Sequence, residues 1–400
     1  MEALAYLAAT FAGILAGIFT GLLPGLHVNA AAVLVASLFY GRDGGLVLAA
    51  LIIAMSISHV FHEFLPSVFL GFSESEAALA VLPGHRMLLN GQGRKAVMMS
   101  AFGGIIGVLG VALLAPALVI LLRPAFFATK GYVAPILAGV IAFHFYRSRK
   151  QERVPADLLV LLLSGAFGIA VFSLPTIREP LLPMLSGLFG VSSLAWGLFK
   201  KPSIPSQQQQ AAIEIKKPAR IARLFTAGVF SSSLMSLFPS LGPAQAAMLG
   251  TTTAGKLKAE SYLFLLGIIS SASMLLGLLS LYSFEKARNG SIAVIGNIMQ
   301  INPSALAILL AVSAIAASLS FASAMLISSP FSALIKTLDY SLISKAVIAL
   351  IALLVILLSG FPGLIVLAVA TAIGLIPVMA KSSRQMLMGC LMIPVLLHYI

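Results

Sequence analysis

Apolar runs follow one another along the whole 400-residue chain, each closed by a short polar or basic stretch. Many approach about 20 residues, the length at which a helix crosses a hydrocarbon layer about 30 Å thick. In the first half they lie at about 4–23, 26–40, 45–70, 96–122, 131–146, 156–174 and 181–198. In the second half they lie at about 224–238, 241–255, 261–284, 302–328, 346–359, 361–380 and 385–398. The runs are continuous and do not alternate with period two, which speaks against a β-barrel. The pattern predicts an all-α polytopic membrane protein with about 10–12 transmembrane helices, plus broken or re-entrant helices where a run is too short to cross alone.

The longest polar stretch, 200–223, contains Gln207-Gln208-Gln209-Gln210 and Lys216-Lys217. It divides the chain into a first membrane repeat (1–199), a linker (200–223) and a second membrane repeat (224–400). The halves echo each other. Ala16-Gly17-Ile18-Phe19-Thr20, followed by Leu23-Pro24-Gly25-Leu26-His27-Val28-Asn29, matches Ala227-Gly228-Val229-Phe230-Ser231, followed by Phe238-Pro239-Ser240-Leu241-Gly242-Pro243-Ala244-Gln245. Leu163-Ser164-Gly165-Ala166-Phe167-Gly168 likewise matches Leu358-Ser359-Gly360-Phe361-Pro362-Gly363.

Composition narrows the class. Hydrophobic residues make up 60% of the chain, mean hydropathy is +1.07, and only 9% of residues are charged, against about 25% in a soluble domain. The net charge of +13 sits in short loops, so it reads as a topology signal and not as a nucleic-acid surface. The loops at Arg86/Arg94/Lys95, Arg147/Arg149/Lys150/Arg153 and the linker are rich in basic residues. The alternating loops hold only Arg42, Arg123, Lys130 and Arg178. The rich set, linker included, is assigned to the cytoplasm of a multi-pass plasma-membrane protein. With the first half starting outside and the second inside, the repeats are inverted. Lys256 and Lys258 agree with that placement, and Lys286 and Arg288 oppose it. The lone cysteine, Cys390, rules out a disulfide framework and a cysteine metal site. Residues 1–23 lack a basic n-region and cleavage motif, and are expected to form a retained helix.

The candidate chemistry lies at the paired breaks. Proline removes a backbone donor and glycine permits unusual dihedrals, so a helix stops at each. The next helix then starts with unpaired N–H groups and a partial positive charge, which suits an anion. The candidate substrate-binding residues are Pro24, Gly25, Leu26, His27 and Asn29 at the first break. At the second they are Pro239, Ser240, Leu241, Gly242 and Gln245. Two tight turns between ordinary helices are the plainer alternative. A second group, His59, His62 and Glu63, shares one helix face at spacings of three and four. Glu63 is the sole acid in its run. Ionisable groups inside a membrane mark relays, so the three are candidates for proton or cation coupling. The order H-x-x-H-E fits no metalloprotease motif. No nucleophile–base pair or metal motif is present, so no enzyme, cofactor or metal is expected.

Four stretches stand out: Gly17-x-x-x-Gly21-x-x-Pro24-Gly25-Leu26, Phe64-Leu65-Pro66-Ser67-Val68-Phe69-Leu70-Gly71, Val81-Leu82-Pro83-Gly84-His85-Arg86 and Ala368-Val369-Ala370-Thr371-Ala372-Ile373-Gly374-Leu375-Ile376-Pro377. They resemble the tripartite tricarboxylate transporter TctA family, in particular its shorter archaeal-type branch. The resemblance implies the large permease subunit of an ion-driven carboxylate transporter working with a small membrane subunit and an external solute-binding protein. The expected function is secondary transport of a small organic anion, coupled to H+ or Na+, by a chain embedded in the lipid bilayer and able to form a homo-oligomer. The alternative is a translocase of a lipid-linked anion such as a polyprenyl phosphate.

Overall fold

The computed structural model describes residues 2–23, 28–39, 44–70, 81–149, 153–200, 205, 207–208, 217–238, 243–255, 257–337 and 340–399. Among them there is no strand. The first half comprises α1 (Glu2–Leu22), α2 (Val28–Leu38), α3 (Gly45–His62), α4 (Phe64–Phe69), α5 (Val81–Leu89), α6 (Gly93–Thr129), α7 (Val133–Arg149), α8 (Val154–Phe172) and α9 (Leu181–Leu185). α9 runs on through a π-helical stretch into α10 (Ser192–Lys200). The second half comprises α11 (Pro218–Leu237), α12 (Pro243–Ala254), α13 (Ala259–Phe284), α14 (Gly290–Ile298), α15 (Pro303–Thr337), α16 (Tyr340–Ser359), α17 (Phe361–Met379) and α18 (Gly389–His398).

The two series keep the same order. α1 and α11 have 21 and 20 residues, α2 and α12 have 11 and 12, and α5 and α14 have nine each. α6 and α15 have 37 and 35, and α8 and α17 have 19 each. Among the described residues eight helices are long and apolar enough to cross a membrane, and three shorter apolar helices accompany them. This is an all-α, multi-pass membrane architecture. Leu4, Phe11, Leu113, Ile120 and Phe361 point outward, an apolar surface suited to lipid tails.

Two helices form the centre. The membrane-length window of α13 is entirely buried, and that of α3–α4 is 72% buried, against 28–50% for the other six. Their packing rests on small residues, because in lipid close backbone approach replaces the hydrophobic drive between helices. Gly13, Gly17 and Gly21 recur every fourth residue on α1. A Cβ on them would strike the backbone of α3 at Leu51, Met55 and His59 respectively. The numbers rise together, so α1 and α3 run parallel and α2 must return between them.

The same reading gives the other directions. Gly104 meets Phe61 and Gly93 meets Phe69, so α6 runs against α3. Gly103 approaches Phe264, Gly267 approaches Ser100 and Gly104, and Gly107 approaches Ile268 and Ser271, so α13 runs with α6. Ser232 Oγ donates to the Ile269 carbonyl and Ser273 Oγ contacts Met235 Sδ, so α11 runs with α13. On the other side His62 meets Ser323 and Phe69 meets Phe331, so α15 runs with α3. Each central helix therefore packs on a long helix from the other half, α3 on α15 and α13 on α6.

The linker is tied to the first half. The Gly93 N–H donates to Gln207 Oε1 at 2.8 Å, Gln207 Nε2 donates to the Leu88 carbonyl, and the Gln208 N–H donates to the Gly91 carbonyl. Lys95 and Glu260 pair at 3.0 Å across the starts of α6 and α13.

Candidate functional site

Pro24, Gly25, Leu26, His27, Pro239, Ser240, Leu241 and Gly242 lie outside the described residues. Their flanks are described. α1 ends at Leu22 and α2 begins at Val28, while α11 ends at Leu237 and α12 begins at Pro243. Asn29 is thus the second residue of α2, and Gln245 the third of α12.

Asn29 reaches into the other half. Its Oδ1 accepts the Ser291 N–H at 3.0 Å. The next N–H of α14, on Ile292, is taken by Asn289 Oδ1 at 2.8 Å, an N-cap of the usual asparagine kind. Gly290 leaves room for this, since a Cβ there would press on the Asn29 side chain. The opposite flank meets the same turn. Arg288 donates from Nε to the Ser236 carbonyl at 2.5 Å and from Nη2 to the Leu237 carbonyl at 2.8 Å. Its guanidinium also lies 5.6 and 5.9 Å from the rings of Phe126 and Phe284, which stack 4.3 Å apart. One turn therefore touches the residues just before the second break and the residue just after the first. Arg288 and Ser291 are three residues apart, at most about 11 Å of chain. Asn289 Nδ2 lies 3.1 Å from Met274 Sδ, about 15 Å of helix above the end of α13 at 1.5 Å per residue. The turn climbs into the packed interior instead of staying at the helix ends.

His59, His62 and Glu63 are brought together and turned inward, with 1, 0 and 4% of their surface exposed. His59 Nε2 lies 3.9 Å from Glu63 Oε2, and its Nδ1 lies 3.0 Å from Thr20 Oγ1 on α1. His62 Nδ1–H donates to the Ser58 carbonyl at 2.7 Å, and Nε2 meets Ser323 Oγ on α15 at 3.0 Å. Ser323 can donate to the neutral ring, or accept from the charged one while donating to the Ser320 carbonyl. The network closes in either protonation state. Ser232 and Ser271, by contrast, spend their hydroxyls on the Ile269 and Gly104 carbonyls, which is helix packing.

Sequence reasoning missed a third polar group. Asp157 is fully buried in the first turn of α8. Its Oδ1 accepts Ser382 Oγ–H and the Ser383 N–H, and His144 Nε2 lies 3.6 Å from Oδ2. Arg384 donates to Ser193 beside it. Asp157 was detectable by the rule that singles out Glu63, a lone acid in an apolar run. A cavity of about 380 Å³ opens beside α14, lined by Tyr282, Glu285, Asn297 and Gln300 among others. The Glu285 carboxylate in its wall makes it a poor anion site.

No solved structure matches the chain. An uncharacterized protein of Methanocaldococcus jannaschii is 32% identical over 165 residues, covering 40% of each chain. The sequence profile of the tripartite tricarboxylate transporter TctA family matches residues 7–389. That span takes in both broken hairpins, both central helices, the inward-facing His–Glu group and the turn at Arg288. Its members are membrane transporters and not enzymes, in keeping with the multi-pass helical architecture, and this chain belongs to the TctA family.

Proposed function

We propose that the chain is the permease subunit of a secondary carrier for a small organic anion, a carboxylate, driven by H+ or Na+. In this reading the anion is held where the helix breaks converge, between two inverted repeats. The observation that carries it is the shared turn: Arg288 binds the residues before one break and Ser291 binds the residue after the other. The opposite senses of α1 and α11, of α3 and α13 and of α6 and α15 support inversion, a device of secondary carriers that sets the site between repeats. The linker is cytoplasmic and the protein sits in the cell membrane with a small membrane subunit and an external solute-binding protein. Counterflow of mono-, di- and tricarboxylates in proteoliposomes tests the class. Saturable exchange of at least one is expected, and a reconstituted, folded carrier that exchanges none overturns the reading.

Asn29 supplies a sharper test. A hydrogen bond to a charged group contributes about 1.5–3 kcal/mol, so Asn29→Ala should weaken substrate binding about 10- to 150-fold. Part of that loss reflects the lost cap on α14. Asn29→Asp keeps the acceptor for the Ser291 N–H and places a negative charge at two helix N-termini, which favours the helices but repels an anion. Normal folding with binding weaker than in Asn29→Ala is the expected result. Parental affinity in both variants would move the site away from the breaks.

A further inference from the structure

We propose that Arg288 is the fixed positive charge that neutralises the transported anion; the inference rests on the reading that an anion binds where the breaks converge.

Its neighbours explain why an arginine stands here. The Nε and Nη2 hydrogens are spent on the Ser236 and Leu237 carbonyls, at the end of α11. The planar group is held against Phe126 and Phe284, so its orientation is set before a ligand arrives. Carbonyls and ring faces attract the cation without cancelling its charge. Among the described residues Arg288 pairs with no carboxylate. It bonds the end of α11, which packs beside Ser273 of α13, and lies over Phe284, the last residue of α13; a half-buried charge at that level, with no acid to balance it, signals function. The two bonds leave Nη1 for a ligand. Two residues along, the N-terminus of α14 begins, with Asn29 and the start of α2 against it. Both helix starts add partial positive charge. Among the described residues no carboxylate balances it, and an anionic ligand would supply the missing negative group. A carboxylate and the phosphate of a lipid-linked group share the chemistry required.

A structural role would also place an arginine here, to cap α11. Lysine and glutamine separate the roles. Arg288→Lys keeps the charge but loses the fork that bonds two carbonyls at once. Arg288→Gln keeps an N–H donor for a carbonyl and loses the charge. The full-length chain is reconstituted, and KM, maximal rate and melting temperature are measured with acetate, succinate and citrate; binding of a short polyprenyl phosphate is measured in parallel. For an anion that the parent transports, KM should rise roughly 10- to 150-fold in Arg288→Gln and less in Arg288→Lys. The rise should be steepest for the most highly charged substrate, with the melting temperature of Arg288→Gln close to the parent's. If the parent binds only the polyprenyl phosphate and Arg288→Gln loses it, the charge role stands and the carboxylate assignment fails. If Asn29→Ala weakens transport while Arg288→Gln keeps the parental KM, the inference fails and the site at the breaks survives. An equal loss in both Arg288 variants, tracking their melting temperatures, makes Arg288 a cap and also overturns it. A parent that binds neither ligand class overturns inference and reading together.

Discussion

Gly267→Val is expected to leave almost no folded carrier in the membrane. Gly267 sits in the first half of α13, where a Cβ would run into the Ser100 carbonyl and the Gly104 N–H of α6. These are backbone atoms of a helix that itself presents Gly103 and Gly107 to α13, so no side chain can swing away. The helices must separate along the whole crossing, and every close contact built on it loosens: the Ser271 hydrogen bond to the Gly104 carbonyl at 2.9 Å, the Phe102–Phe264 ring pair and the Lys95–Glu260 ion pair. Overpacking a tight core costs about 1–3 kcal/mol when side chains can yield, and here they cannot. A net stability of about 5–15 kcal/mol leaves little to absorb it. Yield and monodispersity in detergent measure the outcome. Gly267→Ala should fall between parent and valine variant. A valine variant with parental yield and melting temperature would mean that the crossing is looser than the structure has it.

Glu63→Gln should abolish ion-driven accumulation while exchange continues. Glutamine matches glutamate in shape but cannot ionise, so the buried site facing His59 loses its charge without losing volume. One pH unit is worth about 1.4 kcal/mol per proton, or tenfold in accumulation. A carrier that couples through this pair loses that factor in the variant, and a sodium-coupled carrier loses its response to a sodium gradient. Counterflow, which needs no net ion movement, should persist. The check is uptake with each gradient imposed in turn, beside counterflow on the same vesicles. Parental accumulation in Glu63→Gln would remove the pair from the coupling path. Glu63→Ala is a harsher variant. Removing one partner of a buried pair costs about 3–5 kcal/mol, so lower expression is expected there.

The sequence announced features that a single run of residues can carry. The breaks after Leu23 and Phe238, the polar linker and the shared face of His59, His62 and Glu63 all follow from local spacing, and the inward turn of that face follows from the cost of charge in lipid. Pairings between distant residues left no local trace. Gly103, Gly107 and Gly267 look like any glycines in an apolar run until α6 is set against α13. Arg288 misled, because a basic residue just beyond an apolar run reads as a loop charge. The chain after Phe284 turns back along α13, as Asn289 against Met274 shows, and carries Arg288 onto the end of α11. It is therefore a poor guide to membrane sidedness. Asp157 itself was legible as a lone acid in an apolar run, but its partners Ser382 and Ser383 were not, since they lie 225 and 226 residues away in sequence.

The exchange of partners between halves also governs how the protein is born. Ser271 bonds to Gly104 across 167 residues, and Ser323 meets His62 across 261. At about 5–20 residues per second of synthesis, α6 waits roughly 10–30 s for α13, and α3 waits somewhat longer for α15. Through that interval α3 holds two histidines and a glutamate with part of their final shelter missing. The early helices must stay with the insertion machinery, or shield that face among themselves, until the second half emerges. A ribosome stalled at the linker would strand a half-protein in which α3 has α1 and α6 but lacks α15, and membrane quality control would recognise it by that uncovered face.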